Sequence, residues 1–289
     1  TWAHNVFYPH GPQAEPSWQG PLLLAVGAGL LAVVCAGVYW GLESRAEKRY
    51  QWSLPAAPAK RRWAFGEALR FNPSYWFVVG ICLTFYSSIV PFRTFAIDFF
   101  TNRILAMHGG SGAPEVMHVL AHKQAGMFAS LLPLSAMVAT PLLGLLSDKI
   151  GMRASLMMFA SIMLMPVYIL MGYTDVSLFV PLCMMGLAFS VIPAVMWPSV
   201  AYIVDPRRLG TAYALMTLIE QVGFFALNLL IGRANDHQHA GPGNPGGYRV
   251  GLLIFSALAL VGFVFTVLLR LREKGPHGHG LETITAATS

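Results

Sequence analysis

The chain has 289 residues, of which 55% are hydrophobic and 11% charged, with a mean hydropathy of +0.57 and a formal net charge of +6. That composition excludes an ordinary water-soluble domain and fits a protein that crosses a membrane many times. The basic excess alone does not identify a partner, because the cytoplasmic loops of membrane proteins also collect Lys and Arg. No basic patch with interleaved aromatics points to nucleic acid.

A helix needs about 20 apolar residues to cross a hydrocarbon core of roughly 30 Å, and seven stretches reach that length. The first, 20–42, follows a segment carrying His4 and His10, and neither an initiating Met nor a basic segment precedes it, so no signal peptide is expected. After it comes RAEKRYQWSLPAAPAKRRW, basic and proline-containing, which reads as a linker over 43–72. The second span, 73–97, carries Tyr86, Pro91 and Arg93; the turn-rich TNRILAMHGGSGAPEVMH separates it from the third, 122–146. The charged joint GLLSDKIGMRAS leads into a fourth span, 153–173, whose LMMFASIMLMP run reads as packing or lipid-facing surface. The fifth, 177–203, contains SVIPAVMWPSV, and the sixth, 210–232, contains Tyr213, Thr217 and Glu220. GRANDHQHAGPGNPGGYR then forms a loop before the seventh, 249–271, and a tail over 272–289 in which HGH is too short and exposed to hold a metal. Cys35, Cys82 and Cys183 fall inside apolar runs and are expected to act as small hydrophobes, without a disulfide.

The cations set the orientation. Arg45 through Arg70, Lys149, Arg153, Arg207, Arg208 and Arg270 through Lys274 gather on one side of the spans, while Arg103, Lys123, Arg233 and Arg249 lie on the other. The first side is therefore expected to be cytoplasmic. Most histidines, including His108, His118, His122, His237 and His239, fall on the outer side, where they read either as solvated loop residues or as pH sensors.

In GLLSDKIGMRAS, residues Gly144, Leu146, Asp148, Lys149, Gly151 and Arg153 stand in the order of the signature loop of the major facilitator superfamily, which this segment resembles. Met152 stands where a basic residue is usual. The glycines allow a sharp turn between helices, and Asp148 can either accept bonds from helix-start amides or pair with Arg153. The resemblance implies that this loop is a conformational latch on the cytoplasmic face. In that family the motif lies between helices 2 and 3 and, more weakly, between helices 8 and 9 of a twelve-helix protein built from two halves. Three spans precede it here, so the later position fits. The resemblance thus implies an all-α membrane protein of the major facilitator superfamily fold, read as helix 6 (1–42 with its outer loop), an inter-half linker (43–72), a six-helix carboxyl-terminal bundle (73–271) and a cytoplasmic tail (272–289). Its implied partner is a missing amino-terminal half of six helices. The run from Ala194 to Gly223, with Trp197-Pro198, Leu209 through Tyr213 and Glu220-Gln221, is further similar to the dipeptide-carrying branch of the superfamily and its prokaryotic relatives. Glu220 departs from the animal members, where an amide is expected.

In that fold the cavity is lined mainly by helices 7, 8, 10 and 11, which directs attention to polar residues in the second, third, fifth and sixth spans. Glu220 lies about ten residues into its span, roughly 15 Å deep. A charge there costs a few kcal/mol, which marks a functional candidate; a glutamate hydrogen-bonded between helices is the competing reading. Tyr213 and Thr217 precede it on what the spacing makes one face. Arg93 shares a face with Tyr86; it either contacts substrate or snorkels outward toward Asp98. Ser190 and Trp197 share a face of the fifth span, where Pro193 and Pro198 weaken the helical ladder, and Trp197 reads as a ligand contact, a gate or a packing residue.

The expected function is secondary active or facilitative transport of a small organic solute such as a dipeptide, with proton symport to be tested. Nitrate or organic-anion transport is the alternative within that class. A half-fold scaffold subunit of a membrane complex is the alternative outside it. No phosphate loop or metal-ligand spacing is present, so neither an enzyme nor a cofactor is expected. Ala, Gly and Arg usage and the lack of an Asn-X-Ser/Thr sequon favour a prokaryotic plasma (inner) membrane over a lysosomal one.

Overall fold

The computed structural model describes residues 19–50, 70–109, 112, 114–276 and 278–285. The amino-terminal segment with His4 and His10, the linker over 51–69, and His277 lie outside them. The chain divides into two units, Thr1–Trp63 and Ala64–Ser289. In the first, helix α1 (Gln19–Tyr50) is exposed along nearly all its length, and Leu22–Ala46 is long and apolar enough to cross a membrane. It continues eight residues past the expected end at 42, through Arg45, Lys48 and Arg49, which keep the helix going because Arg and Lys are good helix formers.

The second unit holds six long helices: α2 (Pro73–Met107), α3 (Glu115–Ile150), α4 (Arg153–Tyr173), α5 (Phe179–Ile203), α6 (Leu209–His237) and α7 (Arg249–Glu273). With α1 they make the seven helices able to span a membrane among the described residues, so the chain is a multi-pass integral membrane protein. Short 3₁₀ turns, Pro206–Arg208 and Pro245–Tyr248, lead into α6 and α7. Helix α2 starts on a Pro at its first turn and an Asn72 side chain that accepts from the Ser74 amide at 3.2 Å.

The largest departure from expectation is the length of α2, which runs ten residues past 97 into a segment read as loop. The polar residues that suggested a loop satisfy one another. Asn102 Nδ2 donates to Asp98 at 3.1 Å and to Tyr248 Oη at 2.6 Å, Tyr248 in turn bonds Asp98, and the Arg103 guanidinium caps the end of α4 through Met171 O and Thr174 O.

Helix α2 is the axis of this unit and packs on α3, α5, α6 and α7; α4 joins α5 to α7, and α3 lies along α5. Helix–helix attraction in lipid rests on close van der Waals packing, which favours small residues at crossings. At the α3–α5 crossing a Cβ on Gly186 would stand 2.0 Å from Ser135 Oγ. The most apolar windows of α3 and α6 are only 6% and 17% buried, against 78% for α2, so both carry long apolar faces that the other helices of this unit leave uncovered.

Candidate functional site

The site begins at the crossing of α2 and α6. A Cβ on Gly223 would lie 2.3 Å from Leu83 Cδ1 and 2.5 Å from Ser87 Oγ, so only glycine lets the helices approach this closely. Tyr75 ties the same pair together by donating its hydroxyl to Ala212 O at 2.8 Å. The close approach carries Glu220, one turn before Gly223, into α2. It is 8% exposed, and the Cys82 thiol donates to its Oε2 at 3.8 Å. A thiol is a weak donor, so a carboxylate removed from water has little here to replace its hydration.

Toward the basic end of the bundle, three aromatics join α2, α5 and α6. Trp197 Nε1 donates to Tyr86 Oη at 3.1 Å, and the Tyr213 hydroxyl donates to Trp197 O at 2.9 Å. The Trp197 and Tyr213 rings lie 5.7 Å apart, and Tyr86 meets Phe189 edge-on at 5.9 Å. Helix α5 runs unbroken through Pro193 and Pro198. Ser190 is fully buried and spends its hydroxyl on Gly186 O at 2.7 Å within its own helix.

Thr217 separates from Glu220. A three-residue step turns about 300° around a helix, and that 60° shortfall leaves Thr217 on the exposed stripe while Glu220 faces α2. Arg93 is exposed and lines a cleft of about 380 Å³ between α2, α3 and α5, with Phe92, Phe100, Leu132 and Met185 among its walls. Asp98 is engaged with Tyr248 and Asn102, and no ion pair joins it to Arg93 among the described residues. Arg93 follows Cys82 by eleven residues on α2, which is about 16 Å along the axis and within roughly 20° of the same face.

The signature hairpin lies at the basic end. Asp148 Oδ1 accepts from Arg153 Nη2 at 2.9 Å, the second of its two expected roles. Arg153 is 3% exposed and lies over the Tyr202 ring at 4.9 Å, whereas Lys149 is exposed. Only Gly151 serves the turn, with φ of 67°; Gly144 sits inside α3, and a Cβ there would meet nothing within 4 Å. The helix-start amides have other partners: Arg153 N donates to Leu281 O at 2.9 Å and Ser155 N to Glu282 Oε1 at 2.8 Å. His279, expected to be exposed, is partly buried and bonded to Glu273 and Asn72.

Sequence reasoning missed Cys82, Gly223 and the tail residues Leu281 and Glu282. Gly223, in the middle of an apolar helix three residues after a glutamate, was a readable sign of close helix approach. Nothing in the pattern distinguished Cys82 from its apolar neighbours.

Comparison with known proteins agrees with this architecture. The sequence is similar to the lysosomal dipeptide transporter MFSD1 of Danio rerio, 27% identical over an alignment that covers 99% of this chain and 57% of the relative. The protein of the same name from Gallus gallus is 25% identical over 83% of the chain and 49% of its own length, and that from Homo sapiens 24% over 86% and 49%. The chain thus spans about half the length of the curated relatives it matches. The profile of the Major Facilitator Superfamily matches residues 13–228 and, in an overlapping second match, 111–287, and with its bundle of membrane helices and signature hairpin the chain belongs to that superfamily.

Proposed function

We propose that this chain is the carboxyl-terminal half of a carrier that moves dipeptides by alternating access, with α1 as the sixth helix and α2 to α7 as the seventh to twelfth of twelve. The observation that carries the substrate class is the pairing, along one face of α2, of a carboxylate and a guanidinium. Glu220 sits against Cys82, and Arg93 lies about 16 Å farther along. Two extended residues cover about 7 Å, and in this reading the Arg93 side chain reaches along α2 toward Glu220 to close the rest. The remaining gap is close to one Arg side chain plus a hydrogen bond of about 2.9 Å. A zwitterionic dipeptide would hold its carboxylate at Arg93 and its ammonium at Glu220, with Tyr86, Trp197 and Tyr213 closing the basic end. That the relatives are dipeptide transporters supports the same class.

Alternating access needs the missing amino-terminal half, and the uncovered apolar faces of α3 and α6 are where this reading seats it. Protons are the proposed coupling ion, with Glu220 the group that binds them when no ammonium is present. The proposed location is a prokaryotic plasma membrane, with the lysosomal membrane of the relatives as the alternative.

Anion transport is favoured by one observation, that Arg93 forms no ion pair among the described residues while lining an apolar cleft. Reconstituted full-length protein decides between the readings. Uptake of labelled dialanine, competed by dipeptides and unaffected by nitrate, is expected; nitrate uptake without dialanine uptake would replace dipeptide by anion, and uptake of neither would favour a non-transporting subunit.

A further inference from the structure

Helix α4 starts in an unusual way. The turn before it places two successive residues in the left-handed region, Gly151 at φ 67° and Met152 at φ 50°, and no side chain of the hairpin caps the first turn. Helix-start amides need partners from outside the helix. Here they come from the carboxyl-terminal tail: Met152 N donates to Glu282 O at 3.2 Å, Arg153 N to Leu281 O at 2.9 Å, and Ser155 N and Oγ to the Glu282 carboxylate at 2.8 to 3.0 Å. A carboxylate is also the favoured charge at a helix start.

The fit is close. A Cβ on Gly151 would stand 3.2 Å from both Glu282 O and Ile284 O, so the tail accounts for a glycine at this signature position as much as the turn does. Leu281 is 0% exposed. The tail is anchored at its other end by Glu273, whose buried carboxylate accepts from His279 N at 2.8 Å, Leu281 N at 3.2 Å and the His279 ring at 3.1 Å. Asn72, the cap of α2, donates to His279 Nε2 at 2.8 Å and accepts from Arg272 at 3.0 Å. One short segment therefore bonds the end of α7, the start of α2 and the start of α4.

We propose that residues 278–285 form a strap that locks the α3–α4 hairpin to the ends of α2 and α7, so that they move as one block, and that this block sets the rate of alternating access without touching substrate. The rate clause rests on the carrier reading above; the locking clause does not. Asp148 and Arg153 span the same turn, and the strap supplies the cap that they leave unmade.

Three measurements on the full-length protein test it. Hydrogen exchange of 152–156 should rise at least tenfold in Glu282→Ala and in a chain ended after Gly275, while exchange of 78–89 in α2 stays unchanged as evidence of folding. Glu282→Gln keeps an acceptor for Ser155 and should keep most of the protection. Spin labels on Arg70→Cys and Lys149→Cys should show a distance distribution that broadens when the strap is lost. Dialanine turnover should change at least threefold with dialanine Kd within twofold. Unchanged exchange and an unchanged distance distribution would overturn the strap. A freed hairpin with unchanged turnover would overturn its role in the cycle and leave it a local cap. A parent protein that moves no dialanine would sink the carrier reading and the rate clause with it, while exchange and spin-label distances still decide the locking.

Discussion

Glu220 shows how one glycine governs the chemistry of a neighbour. Because Gly223 lets α2 and α6 meet, Glu220 is pressed against Cys82, and among the described residues its one donor is that thiol. A carboxylate so placed costs on the order of a few kcal/mol unless a proton, a cationic solute group or a better donor joins it. Glu220→Gln should preserve folding, since the amide has nearly the same volume, and should lower dipeptide transport at least tenfold or abolish its pH dependence in a reconstituted assay over a pH series. Unchanged transport with an unchanged pH profile would make Glu220 a packing residue. Gly223→Val tests the crossing itself. Overpacking of this kind costs about 1–3 kcal/mol, so the thermal midpoint of the detergent-solubilised protein should fall, and the Cys82 thiol should react faster with a maleimide as α2 and α6 separate.

At the scale of elements, the α3–α4 hairpin and the aromatic set formed by Tyr86, Trp197 and Tyr213 both lie at the basic end but do different work. The hairpin is joined by an ion pair between half-exposed Asp148 and buried Arg153, so removing the carboxylate leaves a buried guanidinium uncompensated. Asp148→Ala should lower the thermal midpoint while leaving dipeptide affinity intact, and should act on the rate of conformational exchange; a large loss of affinity in a conformationally locked protein would refute that assignment. The aromatic set is held by two hydrogen bonds through Trp197. Trp197→Phe removes the indole N–H but keeps the ring and the backbone acceptor, and should raise the dialanine Kd roughly three- to tenfold if these rings close over the solute, measured by equilibrium binding. A Kd within error of the parent would assign Trp197 to packing.

For the whole molecule, the uneven burial of the helices is the decisive feature. Helix α2 is enclosed by its neighbours, whereas α3 and α6 leave apolar stripes uncovered, among them Met137, Val138, Leu218, Val222 and Phe225. In lipid an apolar stripe is stable without a partner, so exposure alone does not distinguish bilayer from protein. The carrier proposed above seats a second bundle on these stripes. On that reading, cysteines placed at Met137 and Val222 should crosslink to the second bundle in the full-length protein. Labelling of both by a lipid-soluble reagent, with no crosslink, would mean that these faces meet lipid and that the chain works without a second bundle.

Hydropathy alone determined the number of membrane helices, and the ordered residues of the signature hairpin determined the family, because both are local properties of consecutive residues. The helix ends were less legible. Asp98, Asn102 and Arg103 look like loop residues until Tyr248 and the end of α4 are brought beside them to satisfy them. The site was half legible: Glu220 was visible as a carboxylate in an apolar run, but its facing helix, its thiol partner and its separation from Thr217 depended on how α2 and α6 cross. The hairpin's cap was invisible, since Glu282 lies 127 residues from Ser155 in the chain. Spacing along a helix states which residues share a face; only the packing of one helix on another decides what that face meets.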